Sequence, residues 1–358
     1  MTTPLLPVSL EHSAASMMFA CDPIGNPLTL TTMSARLILM TKRLFLSWLL
    51  ISSAHAQWEA LPPLPEPNGG AFCGPAEGKI VVVGGTNWEG GKKNWLRSVY
   101  AFDPASKKWS TLPALSDRPV AYGVILPQAA SFQFLGGSDG VRSLKAVGTV
   151  NAAGAKLQQV PELPSSIVLA SGGVVDGSLI IVGGTDDAAN VSSVSRLTYS
   201  ITLTDGTWKV RPLSAFPGKA FMSAGSAATN GELLVFGGLN WNENTKTIEN
   251  TTSAHAFSPA KNAWRVLKSL EVANRGLSTV ALDDQRIYLA GGFRDDFTAD
   301  AVIYDVKTDS YREAKPLPYA AMVALVKCEG FVYCIGGEDK MKSRTDKFFR
   351  IPVAELLK

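Results

Sequence analysis

The chain has 358 residues, 34 lysines and arginines against 31 aspartates and glutamates, and a net charge of +3 with histidine neutral. So even a balance supplies no electrostatic drive toward nucleic acid or an anionic membrane surface. Three histidines and four cysteines in the whole chain leave little material for metal chemistry.

The first 39 residues carry no pattern that recurs later and are assigned no fold; they read as an over-extended start. Met40-Thr41-Lys42-Arg43 is a short basic opening, Leu44 to Ile51 is apolar, and Ala54-His55-Ala56 before Gln57 has the small-x-small form of a signal-peptidase site. The sequence therefore predicts a signal peptide over 40–56, cleaved near Ala56, and a mature chain in the periplasm or outside the cell. The apolar run is far short of the roughly 20 residues that span a bilayer, and no later run approaches that length, so no membrane insertion is expected. From Gln57 onward, 31 basic and 29 acidic residues remain, and residues 57–358 are expected to form a single domain.

Six apolar runs in this region end in a glycine pair: Gly84-Gly85, Gly136-Gly137, Gly183-Gly184, Gly237-Gly238, Gly291-Gly292 and Gly336-Gly337. The first glycines are 52, 47, 54, 54 and 45 residues apart. A period near 50 signals a repeat architecture rather than two separate domains. Within the first unit, strands are expected over Gly70–Gly74, Lys79–Val83, Ser98–Phe102 and Lys108–Leu112, with Gly, Pro, Asn and Asp punctuating them. The third and fourth strands share a signature, Asp103-Pro104 then Trp109, Ser258-Pro259 then Trp264, Asp305 then Tyr311, with Leu157 in the aromatic place of the second unit. A turn followed by a large ring suits a hairpin whose ring packs between neighbouring sheets.

Four-stranded units with a Gly pair after the second strand match the kelch type of β-propeller. The last unit offers Ala320–Val326, Phe331–Ile335 and Asp346–Ile351 but no fourth strand, whereas Trp58 to Pro62 is a fourth-strand motif without a unit. The expectation is an all-β, six-bladed propeller closed by the N-terminal mature strand completing the C-terminal blade, which removes the open sheet edge. If Glu329-Gly330 is a two-residue turn, Cys328 opposes Phe331 and Leu325 opposes Cys334; the two cysteines then face opposite ways and do not pair. Cys73, Cys328 and Cys334 read as small buried apolar residues.

His255 is the sole histidine of the mature chain and falls on a third strand, which argues against zinc, copper and Ser-His-Asp sites. No G-x-x-x-x-G-K-[ST] motif is present. What remains is carboxylate acid/base chemistry assisted by arginine. Glu338 alone among the six positions after a Gly pair is a carboxylate. Arg118, Lys219 and Arg275 are basic residues at joins between units, and Arg294 lies on the loop after the fifth pair. Trp88, Trp241 and Phe293, on similar loops, could pack on a ligand.

Ile335-Gly336-Gly337-Glu338, followed by Arg344-Thr345-Asp346, resembles the active-site loop of the N-acetylneuraminate epimerases, the sialic acid mutarotases. The resemblance extends over the mature chain with the blades in rotated order, as in the cyclically permuted mutarotase branch: Trp208 to Leu267 looks like an early blade and Arg118 with Ala121-Tyr122-Gly123 like the last. A closed ring tolerates such permutation because strand neighbours are unchanged. The resemblance implies an isomerase that interconverts the α and β anomers of N-acetylneuraminate by opening and reclosing the sugar ring, with no metal and no cofactor. It implies Glu338 as the acid/base and Arg344 as the substrate-orienting residue, with Arg118 and Arg294 as further candidates for binding the sugar. The other reading is a non-catalytic kelch module that binds a protein or glycan, in which Glu338 and Arg344 would pair with Lys340 and Asp346 in a solvated loop. The sequence carries no signal for oligomeric state.

Overall fold

The computed structural model describes residues 57–358 apart from 116–117, 129, 160–165, 188–189 and 205–206. The expected leader over 40–56 and the segment before it lie outside the described residues. Six antiparallel four-stranded sheets follow one another. Sheet 1 is Phe72–Ala76, Lys79–Val83, Val99–Asp103 and Lys108–Leu112; sheet 2 is Val124–Pro127, Phe132–Leu135, Ala146–Asn151 and Gly154–Gln159. Sheet 3 is Ser171–Val175, Ser178–Val182, Thr198–Thr204 and Thr207–Pro212; sheet 4 is Gly225–Thr229, Glu232–Phe236, Ala254–Ser258 and Ala263–Val266. Sheet 5 is Ser278–Ala281, Arg286–Ala290, Ala301–Asp305 and Ser310–Glu313; sheet 6 is Met322–Cys328, Phe331–Glu338 and Phe348–Pro352. Sheet 6 takes its fourth strand from far upstream in the chain: Glu59–Ala60 pairs antiparallel with Phe348–Pro352, Glu59 opposite Arg350.

The second strands are continuous apolar runs because both faces of each sheet are covered. Ile80, Val81, Val82 and Val83 are all buried, as are Ile287, Tyr288, Leu289 and Ala290. Their side chains feed six clusters, each shared by two sheets adjacent in the chain, except that one joins sheet 6 to sheet 1 through Val326, Tyr333, Phe348, Ile80 and Phe102. Four-stranded sheets packed in this succession have the construction of a β-propeller.

In four of the six sheets a fourth-strand aromatic stitches the sheet to the linker before it, whereas sheet 2 has Leu157 in that place and Trp208 Nε1 of sheet 3 has no acceptor. Trp109 Nε1 donates to Pro62 O at 3.0 Å, Trp264 Nε1 to Ser214 O at 2.9 Å and Tyr311 Oη to Lys268 O at 2.8 Å. Trp58 does the same for sheet 6, donating to Pro316 O at 2.8 Å. Each bond gives a ring that would otherwise bury an unmet N–H or O–H its acceptor.

Several expectations are met closely. The strands Lys79–Val83 and Lys108–Leu112 stand as read, while the first begins two residues late, at Phe72. In sheet 6, Cys328 opposes Phe331 and Leu325 opposes Cys334 around Glu329 and Gly330, both at positive φ. Cys73, Cys328 and Cys334 are free and buried. His255 bonds Ser253 Oγ at 3.0 Å and packs edge-on against Phe216. Four additions were not read: a hairpin of Thr86–Glu89 with Lys92–Trp95, a small sheet of Phe221–Met222, Leu239–Asn242 and Thr247–Asn250, a 3₁₀ turn, Val191–Ser193, and a one-turn helix, Val353–Leu356. Among the described residues no helix is long and apolar enough to cross a membrane.

Candidate active site

The residue after each Gly pair reaches back to the join that leads into its own sheet. Gly69 bridges Thr86, Ala121 bridges Ser138, Val168 bridges Thr185, Met222 pairs with Leu239, Arg275 bridges Phe293, and Met322 pairs with Glu338. Positive φ at both glycines of every pair lets the chain turn out of the sheet and make this contact. Thr86, Ser138 and Thr185 are buried at this position and bond backbone carbonyls locally. Glu338 holds the same place with a carboxylate, and the second strand of sheet 6 runs on through Gly336-Gly337 to include it.

Glu338 does not pair with Lys340, nor Arg344 with Asp346, as the solvated-loop reading expects. Arg344 Nη1 lies 3.1 Å from Glu338 Oε1, with the arginine side chain 4% exposed and the glutamate 21%. Arg344 Nη1 also donates to Ser343 O at 2.6 Å, and Nη2 donates to Tyr122 Oη at 3.0 Å. The guanidinium lies across Gly69: a Cβ there would overlap Arg344 Cδ and come within 2.6 Å of Nε. Tyr122 in turn lies across Gly70, where a Cβ would strike its ring. Asn68-Gly69-Gly70 thus has no side chain at the two places where the buried arginine and the tyrosine must fit.

Proton positions around Tyr122 follow from counting donors. Thr86 Oγ1 donates to Gly69 O at 3.0 Å, so at the 2.8 Å contact between Thr86 Oγ1 and Tyr122 Oη the tyrosine is the donor. Its oxygen then accepts from Arg344 Nη2. Lys93 Nζ sits 4.5 Å above the Tyr122 ring and 4.8 Å above that of Trp95, whose edge meets Tyr122. Burial would raise the Tyr122 phenol, but the charges of Arg344 and Lys93 outweigh it and bring it below its ordinary value.

On the other side stands Arg275. Its Cζ lies 4.3 Å over the Phe293 ring and Nη1 donates to Asn250 Oδ1 at 2.9 Å. Burial lowers this guanidinium from its ordinary value, opposed by the charge of Glu338. The two remaining candidates are engaged elsewhere. Arg118 Nη1 is 3.4 Å from Asp139 Oδ2, and Arg294 Nη1 is 2.7 Å from Asp300 Oδ2. Trp88 and Trp241 carry buried indole Nε1 atoms without a hydrogen-bonded acceptor, and Phe293 lies beneath Arg275. Sequence reading missed Tyr122 and Lys93 as members of the cluster; the signal for Tyr122 was the Arg118 to Gly123 segment, quoted there only as a blade marker.

A partly exposed carboxylate fixed against a buried arginine, with a phenol behind it and a second arginine beside it, can exchange protons with a polar ligand while holding its own orientation. Comparison with known proteins agrees with the architecture. Residues 70–116, 220–271 and 274–318 match the Kelch motif. Kelch-like protein 35 of Mus musculus is 27% identical over 272 residues, 75% of this chain and 43% of that protein. N-acetylneuraminate epimerase of Haemophilus influenzae (strain PittEE) is 27% identical over 188 residues, 49% of this chain and 47% of that protein. The N-acetylneuraminate epimerase of Pasteurella multocida is 29% identical over 143 residues, 38% of this chain and 34% of that protein. The chain spans less than half the length of these relatives. The chain carries Kelch motifs over those three segments on an all-β construction of four-stranded sheets.

Proposed function

We propose that the protein is a sugar mutarotase acting on the anomeric centre of N-acetylneuraminate, in the periplasm or outside the cell after removal of the leader, and that its six sheets are the blades of one closed propeller. The closed ring is supported by the order of contacts among first strands, in which that of sheet 6 touches that of sheet 1, and by a cavity of about 480 Å³ that all six first strands line. The observation that carries the functional reading is the Glu338–Arg344 pair, a charged pair at a place where the other repeats put Thr, Ser, Thr, Leu and Phe. The similarity to N-acetylneuraminate epimerases supports the choice of sugar.

Mutarotation requires a proton to leave the anomeric hydroxyl while another reaches the ring oxygen, so that the hemiketal opens and recloses on the other face. Glu338 serves both transfers in turn, as base and then as acid. Arg344 has Nη1 and Nη2 engaged by Glu338, Ser343 and Tyr122, and its Nε, which has no acceptor, is buried; in this reading it acts by holding the carboxylate. Arg118 and Arg294 would have to leave their aspartates to reach a ligand.

The test dissolves the α anomer of N-acetylneuraminate freshly and follows its conversion by proton NMR with and without the protein. Acceleration by wild type, with a fall of about 10²- to 10⁴-fold for Glu338→Gln, is expected; no acceleration over buffer sinks the sialic acid reading. The similarity to Kelch-like protein 35 over three quarters of the chain favours a second reading, a module that binds a protein or glycan without chemistry. A ligand captured equally by wild type and Glu338→Gln, with no effect on the sugar, would select it.

A further inference from the structure

Beside Glu338 stands a positive charge that the proton transfers do not use. Arg275 and Phe293 exchange backbone bonds, Arg275 N to Phe293 O at 3.2 Å and Phe293 N to Arg275 O at 2.8 Å. This fixes Arg275 at the same place in its repeat that Met322, the partner of Glu338, holds in the next. The two places touch: Gly276 stands at φ 62°, and a Cβ on it would overlap Met322 Sδ.

The side chain is held from two directions. Phe293 supports the plane of the guanidinium, and Asn250 Oδ1 accepts from Nη1, while Asn250 Nδ2 donates to Phe293 O at 3.0 Å and Arg294 O at 3.2 Å. A guanidinium fixed in plane and in rotation loses little freedom on binding, and its unused N–H groups keep the fork that matches a carboxylate. None of the ion pairs among the described residues includes Arg275, and the carboxylate whose charge it feels is that of Glu338. A partly buried cation without an anionic partner is unfavourable until an anion arrives. Arg344, by contrast, is 4% exposed and already bonded to three acceptors.

We propose that Arg275 is the residue that binds the carboxylate of an acidic sugar, with Asn250 and Phe293 as its positioning residues, and that it makes the site select acidic over neutral sugars. This rests on the mutarotase reading for its substrate. In N-acetylneuraminate the carboxylate and the reacting hydroxyl share one carbon, so the group that grips the first must lie next to the group that deprotonates the second. Arg275 holds the place that Met322, the strand partner of Glu338, holds in the next repeat; Gly276 touches Met322 and the charge of Glu338 reaches the guanidinium, so the two groups meet that condition.

The experiment compares N-acetylneuraminate with its methyl ester, which keeps the sugar and removes the charge, on wild type, Arg275→Gln, Arg275→Lys and Arg344→Gln. Anomer exchange by NMR gives kcat and KM, and saturation-transfer NMR on the same samples gives binding. Arg275→Gln is expected to raise KM for the free acid about 10- to 100-fold, with kcat changed only a few-fold, and to abolish the preference for acid over ester. Arg275→Lys should restore part of that preference, whereas Arg344→Gln should lower kcat. Arg275→Gln with wild-type KM and wild-type preference for the acid overturns the proposal. A wild type that binds the acid without accelerating its exchange removes the mutarotase reading and leaves Arg275 judged by binding; a wild type that binds neither compound overturns both.

Discussion

Gly69 and Gly70 matter for the side chains they lack. Adding one methyl at Gly69 drives Arg344 out of its place against Glu338, and a buried arginine has nowhere equivalent to go. Gly69→Ala is therefore expected to cost about 1–3 kcal/mol in unfolding free energy, read from urea melts, and to slow anomer exchange at least as much as Arg344→Gln does. Tyr122 gives a second prediction at this scale. Its phenol is held below the ordinary value while burial raises Tyr199, Tyr288, Tyr311 and Tyr319. Ultraviolet titration of the native protein should show an early phenolate step that Tyr122→Phe removes; an unchanged curve would refute the assignment. Glu338 was legible in the sequence because a carboxylate replaces small or apolar residues at a repeated position. Tyr122 was not, because it meets Arg344 across 222 residues of chain and no local pattern records a contact made only when sheets 6, 1 and 2 assemble.

Among the elements, the strands that alternate or run apolar between turn residues were readable, since two-sided burial leaves that mark on composition. The hairpin Thr86–Glu89 with Lys92–Trp95 was not: Lys92-Lys93-Asn94-Trp95 is polar, pairs with a single partner and buries no face. The strand Glu59–Ala60 is two residues long, yet Trp58, Leu61 and Leu64 around it tie sheet 6 to its neighbours. Trp58→Ala removes the bond to Pro316 O and the packing of the ring and should cost about 2–4 kcal/mol, measured by chemical denaturation. Deleting residues 57–62 leaves Phe348–Pro352 with an open edge; the expected result is a lower melting temperature and concentration-dependent association.

For the molecule as a whole, the described thiols report on integrity. Burial pushes Cys73 and Cys334 up to about 12, so a thiol reagent should find them only in the unfolded chain. The sign for stability follows from proton counts. Between the ordinary thiol value and about 12 the unfolded state has lost the proton that the native state keeps, so native stability falls as pH rises. Unfolding free energy is expected to hold steady through neutral pH and then decline above pH 9 by about 1.4 kcal/mol per unit for each such thiol. A Cys334→Ala variant should decline less steeply, and equal slopes would refute the account.

The pairing of Glu59–Ala60 with Phe348–Pro352 has a mechanical consequence. Because the two strands are antiparallel and Glu59 faces Arg350, the chain leaves both toward the same end of the pair. Tension applied to the two tails therefore opens this clasp one rung at a time, as a zipper, instead of shearing all its bonds together. In a pulling experiment the first yield point should be set by the shortest strand and by the Glu59–Arg350 contact at 2.6 Å, well before the longer strands of the other five sheets bear load.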